Sequence, residues 1–277
     1  ASRFWVGGTG TWTVNGTANW ASASGGAAGA SAPGSADTAT FDTASGGGLV
    51  TVNGAVTVQS ITMGAFANGT LDFSANNNDV TLSLAFDASG TQTRALSMGN
   101  GNWVVQGFNN NTWNLTTVAN LAFNANLSTL SFIPSSATPT GQINFLSGAR
   151  TYNVVTHSGV TSSAAFQIAG GPTIATLQVT APANMQFAAG TTAIISNAIA
   201  WAGSSSNQIY VTSDNTNSSA TVAAPANSTI QWAAIRRMTF TGNTVIATNS
   251  FDLRSNSGIT ISAPSISGSG GGRIING

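Results

Sequence analysis

The chain has 277 residues, no formal net charge and only 5% charged residues, against roughly 25% in ordinary globular chains. Its seven cations are all Arg and its seven anions all Asp; Lys, Glu and Cys are absent. This balance argues against a helical bundle, whose wet faces need Glu and Lys, and against a basic nucleic-acid binder. Ordinary hydrophobic content with regular Trp and Phe argues against charged disorder, and the lack of Cys removes any disulfide or thiolate framework.

Residues 1–48 contain Trp5, Trp12 and Trp20, followed by small residues over positions 21–33. The opening residues carry no apolar signal core, and no run of eighteen apolar residues occurs, so no membrane-spanning helix is expected. From residue 49 to 262, short alternating runs recur, among them Val56-Thr57-Val58, Val80-Thr81-Leu82-Ser83-Leu84, Arg94-Ala95-Leu96-Ser97-Met98, Gln142-Ile143-Asn144-Phe145 and Gln208-Ile209-Tyr210-Val211. Apolar side chains two apart with polar or small neighbours mark half-buried strands. Turn clusters separate them, such as Ala75-Asn76-Asn77-Asn78-Asp79, Phe108-Asn109-Asn110-Asn111 and Gly203-Ser204-Ser205-Ser206-Asn207.

The fold class is therefore all-β. Runs begin about every ten residues and persist too far for one sandwich. Asn- and Gly-rich turns suit stacked coils with amide ladders. The expected architecture is a right-handed parallel β-helix, or solenoid, with a Trp-rich N-terminal cap; a β-sandwich or tandem jelly-roll is the alternative. Coils of about twenty residues stacked at ~4.8 Å give a rod on the order of 50 Å long. Three parts are expected: a cap module over 1–48, a solenoid body over 49–262, and a Gly-rich tail over 263–277. The tail reads as a flexible peg or a strand that pairs elsewhere.

The opening Trp5-Val6-Gly7-Gly8-Thr9-Gly10-Thr11-Trp12 continues with Asn19-Trp20 and then Asp37-Thr38-Ala39-Thr40-Phe41. Over residues 4–42 this layout resembles the autotransporter-associated β-strand repeat, and it resembles related β-helical bacteriophage virion proteins more closely. Three Trp suit closure of one end of a β-rod, with Gly7, Gly8 and Gly10 admitting backbone near the rings. Asp37 suits a turn that positions Phe41. The functional alternative is a sugar-stacking platform of exposed indoles. The resemblance implies an extracellular or virion-surface solenoid, with homotrimers as the common assembly. Without a long passenger or membrane barrel in the sequence, the weight falls on a phage structural protein.

Catalysis would rest on carboxylates. Asp72, Asp79 and Asp87 are close in sequence, and Asp72 alternates with Leu71 and Phe73, so it points outward. No Glu exists and no two Asp share a short motif, so Asp79 and Asp87 are read as turn residues and no catalytic residue is assigned. His157 is the single His, read as a turn residue in Thr156-His157-Ser158-Gly159, and cannot form an imidazole metal pair. Gly7-Gly8-Thr9-Gly10 is followed by no Lys and is not a phosphate loop. Asn76-Asn77-Asn78-Asp79 offers one carboxylate, too few for calcium. No metal or cofactor is expected.

Through Asp87 the chain carries five Asp and one Arg; after it, six Arg and two Asp. Arg236-Arg237, preceded by Trp232, is the one adjacent charged pair and is read as a subunit contact with an acidic partner. Soluble β-proteins guard strand edges with charge, especially Lys, and this chain lacks that protection. The reading is a non-enzymatic phage capsid decoration, cement or fibre subunit on the virion surface. It would contact copies of itself, capsid or tail proteins, and a host surface glycan, but neither nucleic acid nor membrane. The rivals are a bacterial surface adhesin of autotransporter type and a polysaccharide-degrading tailspike.

Overall fold

A computed structural model describes residues 1–108, 112–136, 140–159 and 165–265. The chain is all-β, 51% strand and 1% helical, with a large, nearly closed parallel sheet. Period-two alternation builds the strands as expected. In Val80–Asp87, Val80, Leu82 and Phe86 are buried while Ser83 is exposed.

Parallel ladders succeed one another along the chain. Val56 pairs with Val80, Val80 with Trp103, and Trp103 with Leu130. Leu130 then pairs with Val155, Val155 with Leu177, and Leu177 with Ile199. All seven side chains are buried, so this in-register column is a continuous apolar seam. A second seam runs Ile61, Phe86, Trp113, Phe145, Ile168, Phe187. A third, Val50, Leu71, Leu96, Phe123, belongs to a separate sheet. Among the described residues the two sheets hold 22 and five strands, and the smaller ends at Leu121–Asn124. Ser2–Trp5 and Trp20–Ala21 form an antiparallel pair. One buried cluster runs from Trp5 to Ala247.

Pairing crosses residue 48, because Gly10–Thr13 is in parallel register with Gly48–Asn53, Trp12 opposite Val52. Of the tail expected over 263–277, residues 266–277 lie outside the described residues, as do Asn109, Asn110 and Asn111.

Asparagine side chains tie successive turns together. Asn78 Nδ2 donates to the Val52 carbonyl at 2.8 Å, and Asn78 Oδ1 accepts from the Gly54 amide. Asn77 Oδ1 accepts from the Asn100 amide, and Asn100 Oδ1 from the Leu127 amide. Asn153 Nδ2 donates to the Leu127 carbonyl. Asn77 and Asn126 adopt left-handed backbone, which Asn tolerates better than most side chains.

Candidate functional site

The N-terminal aromatic residues converge. Trp5, Trp12, Trp20 and Phe41 are each at most 1% exposed. Trp20 meets Trp5 and Trp12 edge to face, with centroids 5.3 and 5.1 Å apart, and Phe41 lies within 6.0 Å of all three. That geometry suits the ring quadrupoles. It also covers the ring faces, so no indole of this cluster is presented for stacking on a sugar. Trp5 Nε1 donates to the Gly8 carbonyl at 2.9 Å. Gly7 and Gly8 have φ of 115° and 63°, and a Cβ on Gly10 would stand 3.0 Å from the Trp5 ring. Asp37 Oδ2 accepts from the Gly34 amide, closing the turn that leads into Thr38–Thr40 and Phe41. The Ala1 ammonium lies 2.9 Å from Asp37 Oδ1. The Gly34 hydrogen bond first, and the ammonium second, hold the Asp37 carboxyl below the usual carboxylate range.

Each of the seven carboxylates accepts a backbone N–H. The donors are Gly34 to Asp37, Ala44 to Asp42, Ser74 to Asp72, and Asn102 to Asp79. Ser89 donates to Asp87, Ala189 to Asp214, and Arg254 to Asp252. Asp72 and Asp87, neighbours in sequence, lie in different sheets. Their oxygens finish turns instead of facing one another across a cleft. Among the described residues no group of three His, Cys, Asp or Glu could hold a metal ion.

His157 corrects a sequence expectation. It lies in strand Thr151–Ser158, not in a turn, and is buried. The following Gly159 suggested a turn, but the inward-facing Val155 two residues earlier sets the parity. Burial is tolerable because Nδ1 bonds the Phe132 carbonyl at 2.9 Å and the ring stacks on Phe166 at 4.5 Å. Burial pulls its pKa down to about 4, so the ring is neutral at physiological pH.

Arg94 is a second residue whose setting the sequence reading missed. Its guanidinium is buried, and all five of its N–H groups reach backbone carbonyls. Nε and Nη2 both bond Ala88 O, Nη1 bonds Gln92 O and Ala119 O, and Nη2 also bonds Thr117 O. Desolvation lowers its pKa, while Asp87 partly offsets that. The signal was present in Arg94-Ala95-Leu96-Ser97-Met98, where parity puts Arg94 on the buried side with Leu96 and Met98. With every donor occupied, Arg94 braces two turns and has nothing left for a ligand.

The predicted contact residues lie in and beside the strand Ala233–Arg236. Arg236 is exposed, and Trp232 and Arg237 are half-buried. Six of the seven Trp are fully buried; Trp232 is the exception. Several strand edges near the ends of the sheets carry no guard of charge. Leu121–Asn124 pairs only with Arg94–Ser97, and Ile259–Ile261 only with Val245–Thr248, among the described residues. Neither edge strand contains a charged side chain. No family model matches the chain, and no match is found among curated proteins or solved structures.

Proposed function

We propose that this chain is a non-enzymatic structural protein of a phage virion, a decoration, cement or fibre subunit that works on the particle surface as a homotrimer. In this reading the parallel ladders wind as a right-handed β-helix, since parallel crossovers are right-handed in about 98% of cases. Parallel pairing favours that architecture over a sandwich or tandem jelly-roll, which are antiparallel. The Trp5–Trp12–Trp20–Phe41 cluster closes one end of the rod. Its job is to reinforce the particle or display a surface to a host glycan.

The observation that carries the reading is the combination of long parallel ladders with uncharged strands, Leu121–Asn124 and Ile259–Ile261, that pair on one side only among the described residues. Unpaired edges recruit other strands unless charge, Pro or a covering element blocks them, and zero net charge adds no colloidal repulsion. Such a chain suits life inside an assembly of its own copies and capsid or tail proteins. Commitment of every carboxylate to a turn supports the non-enzymatic part.

A cryo-EM map of the intact particle tests the proposal: density for this rod on the head, tail or fibre is expected. Its location on a bacterial outer surface would replace the proposal with the adhesin reading. Reducing-sugar release from host polysaccharide, lost in Asp72→Asn or Asp87→Asn, would replace it with the tailspike reading.

A further inference from the structure

The C-terminal part of the sheet carries a surface unlike the rest. Tyr210, Ala234 and Phe251 are in register on consecutive parallel strands. Their neighbours Val211 and Ile235 are buried, so this column faces outward. Tyr210 is 52% exposed and Phe251 38% exposed, and the small Ala234 between them is covered, at 3% exposed. Arg236 stands two residues along from Ala234. Leu253, 42% exposed, donates its amide to the Ile235 carbonyl and so lies beside Arg236. Aromatic, leucine and arginine side chains are the residues that interface cores favour, and one carboxylate, the exposed Asp252 between Phe251 and Leu253, stands among them.

The arginines next to it have an unusual backbone. Arg237 and Arg254 have φ of 53° and 80°, and the Arg237 amide donates to the Arg254 carbonyl, so they occupy adjacent ladders. Asn fills five of the ten left-handed non-glycine positions among the described residues; it is also the residue that best tolerates this conformation. Arg gains nothing from it locally. Neither Arg236, Arg237 nor Arg254 has an ion-pair partner among the described residues. Asp252 is the nearby carboxylate in sequence, its Oδ1 taken by the Arg254 amide and by Asn256 Nδ2, so the three guanidinium groups outnumber it and leave positive charge for an anionic partner.

We infer that this aromatic and arginine face is a heterologous self-association surface, and that its occupant is the acidic N-terminal half of a second copy. Charge complementarity selects that occupant: residues 1–87 carry five Asp against one Arg, and the sequence after Asp87 carries six Arg against two Asp; with Arg94 buried and Arg273 outside the described residues, Arg150, Arg236, Arg237 and Arg254 remain to face a partner. Asp79 is exposed and Asp42, Asp72 and Asp87 are half-buried; they are spread over both sheets, so each copy offers the next copy's arginines a diffuse negative half, not one compact acidic patch. Such a head-to-tail contact closes into a ring where the rotation permits, which fits a trimer. The inference rests on the multi-copy reading above and adds the surfaces that meet.

The test is sedimentation velocity at low and high salt. The variant R237N/R254N removes two charges while placing a better-suited residue at each left-handed position, so its melting temperature should equal or exceed the wild type's. The variant D72N/D79N/D87N keeps an acceptor oxygen at each turn. Wild type should associate, weakening about tenfold or more as salt rises from ~0.05 to ~0.5 M, where screening lengths fall below ~5 Å. Each variant alone should associate about tenfold more weakly, and the two mixed should form a pair at wild-type strength, because each retains one intact face. Wild type that stays a single chain at low salt overturns both this inference and the multi-copy reading. Wild type that associates undiminished by R237N/R254N, or variants whose mixture fails to pair, overturns this inference alone. Binding of dextran sulfate by the arginines without self-association also overturns it, in favour of a polyanion site.

Discussion

Truncating Trp12 tests whether the N-terminal aromatic cluster is structural. Trp12→Ala removes an indole that is 1% exposed and packs against Trp20 at 5.1 Å, Phe41 at 6.0 Å and Phe73 at 6.3 Å. Core Trp→Ala changes cost about 3–5 kcal/mol, and each lost aromatic contact accounts for ~0.5–1.5 kcal/mol beyond area. Domains are stable by ~5–15 kcal/mol, so the loss is a large fraction of the whole. A chain of this size shifts Tm by ~2–4 °C per kcal/mol, and a fall of about 10 °C is expected. In a protein built from neighbouring ladders the damage should also be local. Hydrogen exchange should accelerate in Gly10–Thr13 and Gly48–Asn53, which pair beside Trp12, well before Thr192–Ala202 is affected. Trp12→Phe keeps an aromatic ring and should recover more than half of the loss. The assay is urea unfolding followed by circular dichroism, with exchange mass spectrometry for location. Trp12→Ala within ~0.5 kcal/mol of wild type, the range of neutral surface changes, would refute the structural role and return the cluster to binding.

Arg94→Met keeps a long apolar stem but leaves four turn carbonyls without their donors; that of buried Ala88 costs about 1–3 kcal/mol when unpaired, and the three on exposed residues less because water reaches them. A loss of about 2–3 kcal/mol in urea unfolding is expected, with Arg94→Lys intermediate because three donors cannot replace a five-donor fork; an unchanged midpoint would show that water replaces the guanidinium. For His157 the folded pKa of about 4 lies below the ordinary value of 6.5. The unfolded chain therefore takes up a proton first as pH falls, and stability should decline between pH ~6.5 and ~4 by about 3 kcal/mol. His157→Phe should flatten that window when unfolding free energy is measured from pH 7 to 4.5, and a wild-type profile already flat there would mean His157 is hydrated.

Much of the fold was legible because strand formation is local. Alternation in Val80-Thr81-Leu82-Ser83-Leu84 announces a half-buried strand from five residues alone, and the Asn-rich turns mark where strands stop. The N-terminal Trp residues admitted two readings in the sequence, packing or a sugar platform, and only the ring contacts and burial in three dimensions chose packing. Arg94 and His157 escaped because polarity argues for the surface, and only the placement of Ala88, Gln92, Thr117 and Ala119 carbonyls, or of Phe132 and Phe166, makes their burial affordable.

The amino-acid order by itself determined that this chain makes strands, where they alternate, and that its surface would be almost free of charge. Those properties depend on neighbours two residues away and on counting. Which strand lies beside which was decided only in three dimensions, since Val56 and Val80 meet by closing a loop whose length the alternation does not encode. The same closure sets Tyr210 beside Ala234 and Phe251, and Arg237 beside Arg254. Contacts between residues far apart in sequence arise from ladder register, and register is a property of the packed sheet, not of any one strand.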